Sequence, residues 1–164
     1  MFGSPRSLNV QNPYDVDIVF VMDSTASMGR YIQEVKMHIS KMAEDIVDRF
    51  NNCTVRVGFV GYRDYTEGPR RFETLDMTNE TDDFIDFVGE MKAFAGGDVP
   101  EDVLGGLNQA LELDWKAKNR IIFHIGNYSI IFINIILYLY FHNKGVKIFL
   151  TRHTINARGM KVNI

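Results

Sequence analysis

An apolar run that ends in a cluster of oxygen-bearing side chains constrains this chain most. Residues 17–22 (Asp-Ile-Val-Phe-Val-Met) contain one polar residue and are rich in β-branched ones, a pattern typical of a short buried strand. A parallel strand that is covered on both faces of its sheet requires such a run. The sequence therefore predicts an α/β fold built around this strand.

The residues that follow the strand form the pattern Asp-x-Thr-x-Ser. Asp23, Thr25 and Ser27 supply one carboxylate and two hydroxyls at the carboxyl end of the strand, which is where ligands bind in open α/β sheets. Mg²⁺ prefers octahedral coordination by such hard oxygens and tends to keep some waters or a ligand oxygen. The alternative is that Ser24, Thr25 and Ser27 only cap the helix that follows.

Length and composition indicate one globular domain. The chain has 164 residues, of which 46% are apolar and 24% charged, enough to bury a substantial core. Its formal charge of −3 argues against a nucleic-acid partner, which usually requires a basic face. A single cysteine excludes an intrachain disulfide and suits a reducing compartment, so we expect a cytoplasmic protein. Residues 1–15 resemble a loose lead-in, since they lack the apolar run of a secretory signal.

Hydrophobic periodicity predicts alternating helices and strands up to residue 91. The predicted elements are a helix over 32–50, strands over Thr54–Tyr62 and Arg71–Leu75, and a helix over Asp82–Met91. Lys36 is expected on the outward face of the first helix. Gly58 and Gly61 indicate close approach of a neighbouring element to their strand. We expect the strand over Arg71–Leu75 to lie at an edge of a mostly parallel sheet with helices on its faces.

A second loop rich in glycine and carboxylates spans residues 95–102. Its adjacent glycines allow a tight turn and close approach to a ligand, while Pro100 suits the first position of a helix. The stripe predicted to be buried in that helix consists of Val103, Leu104, Leu107, Ala110 and Leu111. Asp98 either belongs only to the helix start or delivers a second oxygen ligand to a metal ion.

Asn119–Ile125 predicts a further buried strand, with Gly126 and Asn127 at its carboxyl end. We expect His124, inside this strand, to be a packed core residue rather than a metal ligand.

Together these segments resemble a von Willebrand factor type A domain, of the variety attached to eukaryotic alpha-type kinases and related intracellular proteins. The resembling stretches are Asp17–Gly29, Val57–Asp64, Gly96–Leu104, Ala110–Trp115 and Arg120–Ile125. The resemblance implies a Rossmann-like three-layer sandwich around a mostly parallel sheet. It also implies a metal-ion-dependent adhesion site.

The resemblance assigns roles to individual residues. Asp23, Thr25 and Ser27 would form the first metal loop and Asp98 the second, holding Mg²⁺ or Mn²⁺ whose coordination a carboxylate of a partner protein completes. In the family, the strand that corresponds to Arg120–Ile125 usually continues into Ala-Asp-Ala-Pro-Cys-His-Gly. The Asp of this segment belongs to the third metal loop. Asn127 stands in place of that Asp here. One negative charge is lost, so we expect weaker metal binding.

The sequence departs from the family after residue 126. Ile130–Phe141 is apolar except for Asn134 and shows neither a helical nor a strand period. It is a buried helix or strand, a membrane or interface segment, or a segment not native to the family; a membrane span needs about 20 apolar residues. Val146–Thr151 predicts a last strand. Residues 155–164 show no pattern of a final helix, so the single domain over 16–164 is expected to be incomplete.

Two other functions compete with the metal-dependent binding module. Asp23 would accept a phosphoryl group in the manner of haloacid-dehalogenase-like hydrolases, but that chemistry usually requires a second acid where Thr25 stands. A structural or truncated domain with a non-functional metal site is favoured by Asn127 and by residues 130–141. The sequence contains no nucleophile elbow, Walker loop, zinc-protease motif or kinase signature, so we do not expect an enzyme.

Overall fold

The computed structural model describes residues 12–49, 52–96, 101–126, 145–156 and 159–163. The strands are β1 (Val16–Asp23), β2 (Val55–Tyr62), β3 (Phe72–Thr78), β4 (Asn119–Gly126), β5 (Val146–Asn156) and β6 (Gly159–Asn163). The α-helices are α1 (Ile32–Arg49), α2 (Thr81–Glu90) and α3 (Val103–Glu112). Short 3-10 helices span Ala26–Arg30 and Tyr65–Arg71.

The described strands form one mixed sheet in the order β3-β2-β1-β4-β5-β6. β1 is parallel to β2 and β4, and β4 is parallel to β5, whereas β3 and β6 are antiparallel to their neighbours at the two ends. This confirms the predicted α/β sandwich with a mostly parallel sheet and an edge strand at β3. All eight residues of β1 are buried, as a strand covered on both faces requires.

Alternate residues of β1 serve two hydrophobic layers. Phe20 packs with the layer that contains α1 and α2, where its ring centroid lies 5.5 Å from that of Phe84. Val19 and Val21 pack on the opposite face with Leu107 of α3. The period-two alternation of a strand thus divides the core between the two helical layers.

Several local predictions for the helices are wrong. Lys36 is buried at 6% exposure, and its Nζ donates a 2.9 Å hydrogen bond to the carbonyl of Gly89 in α2. Leu104 is 54% exposed instead of belonging to the buried stripe. Helix α3 begins at Val103 rather than at Pro100, because Asp102 is its N-cap.

The carboxyl-terminal part also differs from expectation. The last predicted strand is longer, since β5 extends to Asn156, and β6 follows it as an antiparallel strand where no element was predicted. The apolar segment Ile130–Phe141 lies outside the described residues. Within the described residues, no helix is long and apolar enough to cross a membrane.

Candidate metal centre

Three parallel strands end together at one edge of the sheet. Asp23, the last residue of β1, lies opposite Tyr62 at the end of β2, and Met22 lies opposite Ile125 near the end of β4. The amide of Ser24 continues this pairing by donating to the carbonyl of Tyr62 at 2.9 Å. The loops that follow these strands are therefore neighbours.

The Asp-x-Thr-x-Ser loop forms a connected set of oxygens. The Oδ1 atom of Asp23 accepts hydrogen bonds from the backbone amide of Thr25 at 2.9 Å and from its hydroxyl at 2.7 Å. That hydroxyl lies 2.9 Å from the hydroxyl of Ser27. Thr25 occupies the N-cap position of the 3-10 helix, yet its side chain makes no capping hydrogen bond in the described structure. Capping alone therefore does not account for this residue.

The second carboxylate oxygen of Asp23 has a different environment. Asp23 is 1% exposed, and its Oδ2 atom has no hydrogen-bond partner among the residues that the structure describes. Burial raises the pKa of Asp23, with hydrogen bonds from Thr25 lowering it, the charge of Asp64 raising it and that of Arg63 lowering it. A buried polar atom without a partner costs free energy that a bound cation would recover. The carboxylate and hydroxyl oxygens are ligands of the kind that Mg²⁺ prefers, so they fit such an ion.

The loop after α2 is held against the Asp-x-Thr-x-Ser loop as far as Gly96. The amide of Phe94 donates to the carbonyl of Ser24 at 3.2 Å, and the amide of Ala26 donates to the carbonyl of Ala95 at 2.7 Å. Gly96 has a φ of 99°, and a Cβ atom there would lie 3.2 Å from the Cβ of Thr25. Glycine is required both by this backbone conformation and by the close approach.

The candidate ligands from the other two loops lie outside the described residues. Asp98 follows Gly96 by two positions in sequence, and Asn127 directly follows Gly126 at the end of β4. A Cβ atom on Gly126 would lie 3.6 Å from the Cβ of Asp23, so β4 ends beside the Asp-x-Thr-x-Ser loop. The roles of Asp98 and Asn127 remain predictions. Within the part of the chain that is described, no group of three or more His, Cys, Asp or Glu side chains is placed to hold a metal ion.

His124 is a core residue, as predicted. It is 5% exposed, and its Nε2 atom lies 2.8 Å from the hydroxyl of Tyr62, with which its ring also stacks. Burial lowers the pKa of His124 to about 4, which keeps the ring neutral at physiological pH.

Arg63, directly after β2, connects the loops around the site, and it was not among the site residues predicted from the sequence. Its side chain is fully buried and donates to the carbonyl of Arg70 at 3.0 Å, to the carboxylate of Glu73 at 2.9 Å and to the carbonyl of Lys92 at 3.0 Å. The guanidinium also lies 3.8 Å from the ring centroid of Phe94. The signal in the sequence is a pair of charged residues directly after a buried strand.

Asp64 is the second residue of this charged pair. It is 1% exposed and forms an isolated antiparallel bridge with Glu101, while the amide of Asp102 donates to the carbonyl of Arg63 at 3.1 Å. The glycine-rich loop over residues 95–102 therefore rejoins the described structure next to Asp64.

Comparison with known proteins agrees with this architecture. Residues 17–125 match the family model described as von Willebrand factor A domain. The chain is 33% identical over 113 residues to the alpha-protein kinase vwkA of Dictyostelium discoideum, covering 68% of this chain and 18% of that protein. It is 27% identical over 104 residues to a putative ariadne-like RING finger protein, R811, of Acanthamoeba polyphaga mimivirus, covering 63% of this chain and 10% of that protein. The chain thus spans less than a fifth of either relative.

Solved structures with the same fold include two bacterial proteins. A conserved hypothetical protein, BatB, from Bacteroides thetaiotaomicron is similar with a TM-score of 0.62 at 13% identity, covering 90% of this chain and 75% of that one. The pilus adhesin SpaC from Lactobacillus rhamnosus GG is similar with a TM-score of 0.55 at 18% identity, covering 72% of this chain and 15% of that one. At these identities the likeness shows the fold alone.

Proposed function

This chain belongs to the von Willebrand factor A domain family, and on that basis we propose that it is a protein-binding module that holds Mg²⁺ or Mn²⁺ at its Asp-x-Thr-x-Ser loop. Members of this family often mediate protein interactions and adhesion. The observation that carries the proposal is the buried Oδ2 atom of Asp23, which has no hydrogen-bond partner in the described structure and stands next to two linked hydroxyls.

The cation would be held by Asp23, Thr25 and Ser27, with Asp98 and Asn127 as the ligands expected from the other two loops. When bound, the ion supplies a concentrated positive charge and a coordination position for an oxygen of the partner. A carboxylate is the protein side chain that best fills such a position. The proposed partner is therefore a protein that presents an acidic side chain.

The proposal is a binding function rather than catalysis. The Oδ1 atom of Asp23 already accepts two hydrogen bonds from Thr25, and Thr25 occupies the place of the second acid that a phosphoryl-transfer site usually requires. The Dictyostelium relative is named a kinase, but this chain matches only 18% of it. We place the module in the cytoplasm, in keeping with its single cysteine.

A structural domain without a working metal site is the competing function. Asn127 favours it, because an amide replaces the carboxylate that the family usually has at this position. With fewer fixed negative charges, a site binds divalent cations more weakly. We therefore expect Asn127→Asp to tighten Mg²⁺ binding. Equal affinities of the two proteins in calorimetric titration would contradict the expectation.

Thermal unfolding in EDTA and in millimolar Mg²⁺ tests the proposal. A ligand that binds only the folded state stabilises it by roughly 2.7 kcal/mol at a hundredfold excess over its dissociation constant. We expect Mg²⁺ to raise the Tm of the natural chain and not that of Asp23→Asn. Asp45→Asn, an exposed change on α1, is the matched control and should respond like the natural chain. A cooperative transition that Mg²⁺ leaves unmoved would favour the structural alternative.

An acidic peptide tests the second half of the proposal. Its binding should require Mg²⁺ and should disappear in Asp23→Asn, because the peptide carboxylate would complete the coordination of the ion. A peptide of the same length with amides in place of carboxylates is the control. Binding that persists in EDTA would show that the partner does not contact the metal.

A further inference from the structure

We propose that Arg63 is a positioning residue of the candidate metal centre. It fixes the segment over residues 92–96 against the Asp-x-Thr-x-Ser loop and thereby sets the geometry in which that loop binds Mg²⁺. This assignment rests on the proposed metal-dependent function and extends it to a residue outside the predicted ligand set. Arg63 directly follows β2, whose last residue lies opposite Asp23 in the sheet.

The guanidinium of Arg63 joins three elements of the fold: a short helix, a strand and the segment over 92–96. Its Nη1 atom donates to the carbonyl of Arg70 at 3.0 Å. Its Nη2 atom donates to the carboxylate of Glu73 at 2.9 Å and to the carbonyl of Lys92 at 3.0 Å. The side chain is fully buried, so water does not compete for these contacts. One side chain therefore ties the start of the segment to the end of β2.

Phe94 extends this contact two residues further along the segment. The guanidinium carbon of Arg63 lies 3.8 Å from the centroid of the Phe94 ring, so the cation rests on the aromatic face. Such a contact is favourable, and more so when both groups are removed from water. Arg63 thus holds both the backbone of the segment at Lys92 and a side chain in its middle.

The same segment holds the Asp-x-Thr-x-Ser loop through its backbone. The amide of Phe94 donates to the carbonyl of Ser24 at 3.2 Å, and the amide of Ala26 donates to the carbonyl of Ala95 at 2.7 Å. These two hydrogen bonds are made by the residues on either side of Thr25, whose hydroxyl is a candidate ligand. A displacement of the segment would therefore displace that hydroxyl.

The contacts of Arg63 require arginine rather than any cation. A planar guanidinium has several donors in a fixed fork and can lie on a ring at the same time, whereas the ammonium of lysine is a point charge without a face. A buried ion pair adds little net stability, because both charges lose their hydration. What these contacts provide is a fixed arrangement of loops. Mg²⁺ demands that arrangement, since it binds in near-ideal octahedral geometry.

Calorimetric titration of Mg²⁺ into the full chain, under conditions where circular dichroism shows each variant to be folded, tests the proposal. Arg63→Lys keeps the charge and removes the fork, and we expect it to weaken Mg²⁺ binding by about tenfold, as for residues that orient metal ligands. Arg56→Lys is the matched control, because Arg56 is largely buried at the opposite end of β2 and pairs with Asp17. Its affinity should stay within about twofold of the natural chain, since the two ends are independent.

Amide hydrogen exchange in EDTA measures the positioning without the metal. The amides of Phe94 and Ala26 connect the two loops, so they should lose protection in Arg63→Lys relative to the amides of β4. In Arg56→Lys the exchange of these two amides should change no more than that of β4, because the lost pair lies at the other end of the sheet.

The outcomes separate this inference from the proposed function. If the natural chain binds no Mg²⁺, both fail. If it binds and Arg63→Lys binds equally well, the proposed function stands and the positioning role is overturned. Equal weakening in Arg56→Lys, or weaker binding in Arg63→Lys without loss of protection at the two amides, would also overturn it.

A second variant decides the question should Arg63→Lys not fold. Phe94→Leu keeps an apolar side chain but removes the aromatic face on which the guanidinium of Arg63 lies. We expect it to weaken Mg²⁺ binding by about threefold or more, in keeping with the loss of a desolvated cation–π contact. An unchanged Mg²⁺ affinity in Phe94→Leu would overturn the positioning role.

Discussion

The two ends of β1 each carry a buried aspartate, and their environments are opposite. Asp17, near the amino end, accepts hydrogen bonds from Arg56 through both of its oxygens at 2.9 and 2.7 Å. Its Oδ2 atom also accepts from the backbone amides of Lys116 and Ala117 at 2.7 and 2.8 Å. Asp23, at the carboxyl end, has one oxygen bound by Thr25 and the other without a hydrogen-bond partner in the described structure.

This contrast distinguishes the structural role of Asp17 from the binding role proposed for Asp23. Asp17 and Asp23 have the same side chain, lie in the same strand and are equally buried at 1% exposure. Buried polar atoms in native proteins are nearly always hydrogen-bonded, so the satisfied residue is the ordinary case and the unsatisfied one requires an explanation. Near the amino end of β1, Asp17 connects this strand to Arg56 of β2 and to the segment that precedes β4. At the carboxyl end, one oxygen of Asp23 has no hydrogen-bond partner in the described structure, and we propose that it binds a ligand.

The largest expected effect on stability comes from removing Asp17, the aspartate whose two oxygens are both hydrogen-bonded. Asp17→Ala should lower the free energy of unfolding by about 3–5 kcal/mol, because it leaves the largely buried charge of Arg56 and two backbone amides without their acceptor. Urea denaturation at neutral pH measures the change. Asp114→Ala is the control: this exposed carboxylate lies 3.7 Å from Arg56, and its removal should leave stability nearly unchanged. Comparable losses in the two variants would contradict the structural role of Asp17.

The next largest effect is a loss of stability on acidification. It arises near the carboxyl ends of β4 and β2, where His124 contacts Tyr62. Burial lowers the pKa of His124 to about 4 in the folded state, against the ordinary value of 6.5 for a histidine, so the unfolded chain takes up the proton first. Its contribution to stability is complete above pH 6.5 and is lost as the pH falls towards 4, at most about 3 kcal/mol. Urea denaturation at several pH values should show a steeper loss in the natural chain than in His124→Phe. Equal slopes would show that His124 does not carry the effect.

A smaller effect should follow from adding a methyl group at Gly61, next to Ser24 of the Asp-x-Thr-x-Ser loop. A Cβ atom on Gly61 would lie 2.8 Å from the hydroxyl of Ser24 and 2.5 Å from the end of the Met91 side chain. Met91 can adjust, but Ser24 is fully buried, so Gly61→Ala should cost about 1–3 kcal/mol by overpacking. Gly89→Ala, at an exposed position of α2 where a Cβ atom would have nothing within 4 Å, is the control and should stabilise the protein slightly. Differential scanning calorimetry of both variants in EDTA gives the comparison.

The smallest expected effect is that of Asp23→Asn, which should not lower the free energy of unfolding as the other substitutions do. In EDTA, Asp23→Asn should leave stability unchanged or raise it by up to about 1 kcal/mol, because burial disfavours the charged carboxylate whose pKa is raised. The change retains an acceptor for the two hydrogen bonds from Thr25. Thermal unfolding in EDTA measures it. A loss as large as that expected for Asp17→Ala would mean that both aspartates are structural and would remove the contrast between the two ends.

Local sequence patterns were sufficient for much of this architecture. The apolar run of β1, the close approaches at Gly58 and Gly61, the edge strand β3 and the core position of His124 were all predicted correctly. The Asp-x-Thr-x-Ser loop was likewise recognised, and the structure brings its three oxygen-bearing side chains together. These features depend on residues close in sequence, so periodicity and turn chemistry are enough to predict them.

Only the tertiary structure decided which polar groups are satisfied. Lys36 is buried because a carbonyl of α2 accepts its hydrogen bond, and Asp17 is satisfied by Arg56 and by amides about a hundred residues away in the chain. The burial of Arg63 and of Asp64 likewise depends on loops from separate parts of the sequence. Such partners are set by the packing of distant segments, which local periodicity does not encode. The sequence by itself determined the strand and the residues at its end. The tertiary structure decided that both oxygens of Asp17 are hydrogen-bonded, while one oxygen of Asp23 has no hydrogen-bond partner in the described structure.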